Sequence, residues 1–183
     1  MGKQTDVTLT TLYQSFQGPE GGGDKGTIHS YIEIYEEFLK PNADLLEIGV
    51  YQGHSLAMFA KFFTGNVVGL DIDLTNLQFE VNAKICDATN KDSLEKTIGN
   101  LTFDYIIDDG SHNPDHQKVS LELLYKSLKP GGIYFIEDII SLEVAEMLTK
   151  TGKNLGLQLV ALYDLRTKKG RHDDILLVFQ AID

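Results

Sequence analysis

This chain has almost no cysteine, few basic residues and no long apolar run, and each shortage closes off a class of protein. One cysteine, Cys86, stands alone in 183 residues, which excludes an internal disulfide and a cysteine-based zinc site. Flanked by Ile85 and Asp87, it reads as a small buried residue. Sixteen Lys and Arg face 27 Asp and Glu, for a net charge of −11. That balance argues against nucleic acid or an anionic membrane as the partner, because such binding works by neutralising phosphates. There is no run of 18 apolar residues and no secretory leader, so neither a membrane span nor export is expected and the protein is read as cytoplasmic. Internal repeats are also lacking.

What remains suits one globular domain over residues 1–183. A hydrophobic content of 42% and a charged content of 23% are ordinary for a chain with a sizeable core. Homo-oligomerisation is left open.

The organising stretch is Asp44 to Phe63, DLLEIGVYQGHSLAMFAKFF. Residues 45–50 are an apolar run the length of a buried strand. Leu56, Phe59, Ala60 and Phe63 then fall at helical spacing, with Gly49 and Gly53 in the turn between. Glycine suits a sharp turn that a ligand approaches closely. In an open α/β sheet, the turn after the first strand lies where ligands bind. The spacing is Glu47-x-Gly49-x-x-x-Gly53, not the three-glycine pattern of a dinucleotide cradle, so a cofactor without a pyrophosphate to grip is expected.

Along the chain, residues 1–40 read as an N-terminal cap over the mouth of the sheet. Within them, the run Gly18-Pro-Glu-Gly-Gly-Gly23 reads as a flexible loop. For Asp24 to Tyr31 two readings stand side by side, a helix entrance capped by Asp24 or Thr27 and part of that cap. A strand over 66–73 ends in carboxylates. Its Asp71 follows Glu47 by 24 residues, near the offset of about 20 at which such an acid meets a ribose. A third strand over 79–85 ends at Asp87. A helix over 91–98 precedes a strand from Phe103 with the polar terminus Asp108-Asp109-Gly-Ser-His112. A helix over 115–128, stopped at Lys129-Pro-Gly-Gly, leads to a strand over 133–136 ending in Glu137-Asp138. After a helix over 142–150, strands over 157–163 and 175–180 flank a polar loop and form a hairpin. The fold class is α/β: a Rossmann-like, seven-stranded, mostly parallel sheet with helices on both faces and an antiparallel C-terminal hairpin strand.

Asp108, Asp109, Glu137 and Asp138 thus sit at the carboxyl ends of two strands expected to be neighbours, about 4.8 Å apart, and are expected to converge. Clustered carboxylates repel unless a cation lies between them. An all-oxygen set suits a hard ion, Mg²⁺, Mn²⁺ or Ca²⁺. His112, three residues past Asp109, could reach a hydroxyl held there. His54 is ambiguous, His29 could line the cap, and His116 reads as a surface helix residue. Arg166, Lys168, Lys169, Arg171 and His172 form a basic island that reads as a solvated hairpin tip, with contact to an anionic group as the lesser reading.

Three separated segments carry a family resemblance. Glu47-Ile-Gly-Val-Tyr-Gln-Gly-His-Ser55 resembles motif I of class I S-adenosylmethionine (AdoMet) methyltransferases, catechol O-methyltransferases especially. Ile107-Asp-Asp-Gly-Ser-His112 followed by Phe135-Ile-Glu-Asp138 is similar to the metal-dependent sugar O-methyltransferases of macrolide biosynthesis, the macrocin and mycinamicin type. The resemblance runs from about Asp24 to Asp174. It implies Glu47, Gly49, Gly53 and Ser55 at the methionine end of AdoMet, Asp71 on the ribose, Asp87 on the adenine amino group and Asp108 facing the AdoMet amino group. It also implies Mg²⁺ or Mn²⁺ on Asp109, Glu137 and Asp138, with His112 as base. The expected partner is a small-molecule hydroxyl acceptor, a sugar or a glycosylated natural product. The macrolide enzymes carry further substrate-binding elements for which this chain has little room. Two alternatives stand beside this reading: a nicotinamide-dependent oxidoreductase on a doubly wound sheet, and a non-catalytic AdoMet-binding or interaction module.

Overall fold

The strand and helix periods of the sequence resolve, in a computed structural model that describes residues 8–16 and 23–182, into one seven-stranded sheet. The glycine-rich loop expected before Asp24 lies largely outside the described residues. Helices α1 (Leu9–Ser15) and α2 (Ile32–Phe38) precede strand β1 (Leu45–Ile48). Then follow α3 (His54–Phe62), β2 (Val67–Asp71), β3 (Ala83–Ile85), α4 (Lys91–Thr97), β4 (Phe103–Asp108), α5 (Pro114–Leu124), β5 (Leu128–Ile136), α6 (Leu142–Asn154), β6 (Leu157–Asp164), the short α7 (Arg166–Lys169) and β7 (Ile175–Ala181).

The strand order is β3-β2-β1-β4-β5-β7-β6. The first five strands pair in parallel, and β7 runs antiparallel between β5 and β6, since a connection holding only the four-residue α7 is too short for the crossover a parallel pair needs. Because β1 leads to β2 on one side and has β4 on the other, the order reverses at β1. The carboxyl ends of β1 and β4 therefore open onto a crevice.

The two-residue period of the strands divides the core in two. Leu46, Ile48, Ile106, Tyr134 and Ile136 pack against Leu94, Leu121, Leu124 and Leu148 of α4, α5 and α6. Their strand neighbours Leu45, Tyr105, Ile107 and Phe135 pack against Leu9, Tyr35, Met58 and Phe59 of α1, α2 and α3. Side-chain caps fix four helix starts: Thr8 on Thr11 N–H, Asn90 on Ser93 N–H, Asn113 on Asp115 N–H and Ser141 on Val144 N–H. Each stabilises by about 1 kcal/mol.

Three expectations shift. The third strand is only Ala83–Ile85, because Leu77, Phe79 and Val81 turn inward over the Gly53 turn instead of pairing. The helix expected to reach residue 128 ends at Leu124 and passes through a 3₁₀ turn, Tyr125–Ser127. Leu128 is then already paired with Phe103, and the register shifts before Ile133 pairs with Tyr105. That irregularity accommodates Pro130, which has no N–H for the ladder. Finally, α2 begins at Ile32 with no side-chain cap. Instead, the carbonyl of Asp24 collects the N–H groups of Thr27, Ile28 and His29 in a tight turn.

Candidate functional site

At the crevice lies a cleft of about 940 Å³, within the range of small-molecule sites. Its floor is the turn after β1. Gly49, Tyr51 and Gly53 have φ of 87°, 47° and 85°, and the turn is pinned by Asp71, whose Oδ2 accepts from Val50 N and Tyr51 N, each at 2.8 Å. The other oxygen of Asp71 accepts from Asp73 N at 3.1 Å. Asp71 therefore organises the turn as well as facing the cleft. Asp87, at the next strand end, lines the same cleft and accepts from the Thr89 hydroxyl and N–H at 2.6 and 2.9 Å. Ser55, Asp108, Asp109 and His112 complete the wall.

Strand alternation separates the four acids expected to converge. Asp108 keeps the side of Ile106 and turns towards α5, where the Ser120 hydroxyl donates to its Oδ2 and Gly110 N to its Oδ1 at 3.3 Å. Burial pushes its carboxyl up to about 6, against the Ser120 bond. Glu47 and Glu137 keep the opposite side, beneath the N-terminal segment, and are 0% and 1% exposed. Asp109 and Asp138, just past the strand ends, come together across His112. His112 Nε2 lies 3.2 Å from Asp109 Oδ1 and 3.3 Å from Asp138 Oδ2.

Among the described residues, Asp109, His112 and Asp138 offer ligand atoms all within 4.8 Å of one another. Two carboxylates and an imidazole fit a hard or borderline divalent ion. The carboxylate of Glu137 faces inward from this group: both its oxygens lie against Lys25 Nζ, at 2.8 and 3.0 Å, and Oε1 also accepts from the Tyr35 hydroxyl.

Lys25 is the residue that the sequence reading passed over. It is 1% exposed, donates to Asp109 Oδ2 as well as Glu137 and lies 3.7 Å from Glu47 Oε1. Burial works against its charge, but Asp109, Glu137 and Glu47 together hold its pKa well above the usual lysine value. Burial pushes Glu47 up to about 7, against the pull of Lys25 and Ser55. Asp138 is likewise pushed up to about 6 by burial and by Asp109. Asp109, although enclosed, is held below its usual value by Lys25 and His112. The sequence carried no signal for this role, because the acids need a counter-charge only once the fold has buried them. The sequence did not reveal that Lys25 would supply it from 84 residues away.

His29 and Tyr31 of the same segment are also buried against the acids. The Tyr31 hydroxyl donates to Asp138 Oδ1 at 2.7 Å, and buried His29 lies 3.0 Å from the same oxygen and 3.4 Å from Asp174. The basic island is spent on pairing: Lys169 Nζ holds the carbonyls of Gly26 and His29, Arg166 pairs with Asp164 and Arg171 with Asp173. His116 lines the cleft and bonds the Ser111 hydroxyl at 2.8 Å, and His54 lies at the cleft edge against Phe79. Two residues of the acid group, His112 and Asp138, hold positive φ of 54° and 53°. Non-glycine residues persist there only when their surroundings hold them.

A family model described as a methyltransferase domain matches residues 46–139, from β1 to just past β5. The 8-demethyl-8-alpha-L-rhamnosyl tetracenomycin-C 2'-O-methyltransferase of Streptomyces olivaceus is 35% identical over 133 residues, 64% of this chain and 35% of that protein. Demethylmacrocin O-methyltransferase of Streptomyces fradiae is 33% identical over 142 residues, 72% of this chain and 36% of that protein. The chain thus spans about a third of the length of these curated relatives. Among solved structures, the MycE methyltransferase from the mycinamycin biosynthetic pathway, in complex with Mg, SAH and mycinamycin VI, matches with a TM-score of 0.69. It is 23% identical and covers 95% of this chain and 53% of that one, a likeness of fold.

Proposed function

This chain belongs to the methyltransferase-domain family, and on that premise we propose that it moves the sulfonium methyl of AdoMet to a hydroxyl of a small molecule, a sugar of a glycosylated natural product. The observation that carries the reading is the meeting in one cleft of the turn from Gly49 to Ser55 with Asp109 and His112, behind which Asp138 brings its carboxylate to the same group. Support for the acceptor class comes from the relative named for 2'-O-methylation of a rhamnosyl tetracenomycin.

The glycine turn and Asp71 would hold the methionine and ribose parts of AdoMet, Asp87 the adenine and Asp108 the amino group. A divalent ion, Mg²⁺ or Mn²⁺, held by Asp109, Glu137 and Asp138, would supply Lewis-acid activation of the acceptor hydroxyl. His112, about one-third exposed at the cleft wall, takes the hydroxyl proton on Nδ1, since Nε2 carries the proton it shares with Asp109. Asp109 and Asp138 orient its ring and favour the imidazolium that results. The walls align acceptor, methyl and sulfur for an in-line displacement. The chain would act as one such domain, with the described residues 23–40 of its N-terminal segment as the cap.

The experiment is a thermal-shift screen of the chain against AdoMet, its demethylated product and NAD, followed by transfer of labelled methyl from AdoMet to glycosylated acceptors. Stabilisation by the first two alone, with label on a sugar hydroxyl, is the expected result. Stabilisation by NAD instead would overturn the reading.

A further inference from the structure

Lys25 and the ion of the proposed reaction claim the same oxygens. Both oxygens of Glu137 lie at hydrogen-bond distance from Nζ, and Asp109 gives Nζ its Oδ2 while Oδ1 faces His112. Asp109 Oδ1 and Asp138 Oδ2 lie instead against His112 Nε2, at 3.2 and 3.3 Å. An ion that also takes Glu137 must stand where the ammonium stands. Two cations cannot share that position, since each repels the other and each needs the same lone pairs.

The geometry points to Lys25 as an internal competitor of the divalent ion: coordination by Asp109, Glu137 and Asp138 together requires Nζ to leave Glu137. The inference rests on the metal-dependent reading above and extends it to the N-terminal segment. The route out is short. Gly23, Asp24, Thr27 and Ile28 line the cleft on either side of Lys25, so a turn of its side chain carries Nζ from the acids into the cleft. His29 and Tyr31 keep the segment on Asp138 meanwhile. Ion entry and rearrangement of the wall that covers the acids then become one event, an exchange of a single positive charge for two. Lys25 is a positioning residue in this scheme and sets how tightly the ion binds.

The opposite arrangement has the opposite sign. If the ion uses only Asp109 Oδ1 and Asp138 Oδ2, Lys25 supports those acids from behind, and its loss weakens the ion's hold. Calorimetric titration of Mn²⁺ into the full chain and into Lys25→Met separates the two. The competitor model expects at least tenfold tighter binding in the variant. Equal or weaker binding overturns it. Where Lys25→Met does not fold without metal, amine acetylation of the unaltered protein decides, read at Lys25 by mass spectrometry with chelator or saturating Mg²⁺. Lys25 should be protected in chelator and labelled with the ion, and unchanged labelling overturns the inference. If neither protein binds millimolar Mn²⁺ while AdoMet still binds, the metal-dependent reading fails and this inference with it. Binding in both without gain in the variant defeats the inference alone.

Discussion

A Cβ on Gly49 would stand 1.9 Å from the carbonyl oxygen of Asp109. The turn that follows β1 and the acid that follows β4 are thus in backbone contact, and the proposed cofactor and metal sites share a wall. Gly49 N is also held by Leu70 O at 2.8 Å, so the turn has little room to retreat.

Gly49→Ala should accordingly lose both stability and cofactor binding. The φ of 87° alone costs an alanine about 1–3 kcal/mol, and the clash with Asp109 adds to it. Thermal unfolding and calorimetry with AdoMet measure the two losses. A variant within about 0.5 kcal/mol of the parent would mean that the two loops move apart freely.

Asp71 has a double task, and its variants should show it. Asp71→Ala removes the acceptor of Val50 N and Tyr51 N along with the group facing a ribose. AdoMet affinity is expected to fall by about 1.5–3 kcal/mol. Asp71→Asn keeps one carbonyl oxygen for the turn and should fall less. Unchanged calorimetric affinity in the alanine variant would remove Asp71 from the site.

Methyl transfer should cease in EDTA and return with Mg²⁺ or Mn²⁺. The two ligand carboxylates nearest His112 suit an ion that keeps several waters, so the ion should exchange readily at chelator concentrations. Full activity after exhaustive chelation would reassign Asp109 and Asp138 to acceptor binding.

His112 must be neutral to accept a proton. The bond it donates to Asp109, reinforced by Asp138, raises its pKa above the ordinary 6.5 despite burial, so the rate should climb with pH through a value above 6.5. His112→Ala should lower kcat by about 10²–10⁴ with little change in AdoMet affinity. A loss under about fivefold, with chemistry limiting, would leave His112 a positioning role only. Stability in chelator follows the same pKa. A raised folded value stabilises fully below the unfolded pKa, about 6.5, and the gain disappears as pH rises through the folded value. The stability gap between parent and His112→Ala, read by denaturant unfolding, should therefore narrow from pH 6 upward.

Much of this arrangement could be read in advance because it is written in local periods. The switch from alternating to helical spacing across Gly49 and Gly53 placed β1 and α3. The absence of a helical pattern between residues 157 and 180 required the antiparallel pair. Acids at strand ends must lie at the crevice, since a parallel sheet puts all its carboxyl ends on one edge. Asp71, Asp87, Asp109 and His112 came to one cleft for that reason.

What the sequence by itself determined, then, is the sheet, its open edge and the residues standing along it. The tertiary structure decided which way those residues face and what answers their charge. Alternation about the strand axis sends Asp108 to Ser120 on one side of the sheet and Glu137 to Tyr35 and Lys25 on the other. No local signal carries that division, because it depends on which helices cover which face. Lys25 reaches Glu137 across 112 residues. It is held there because three enclosed carboxylates need a positive charge, a demand that exists only once the fold has brought them out of water.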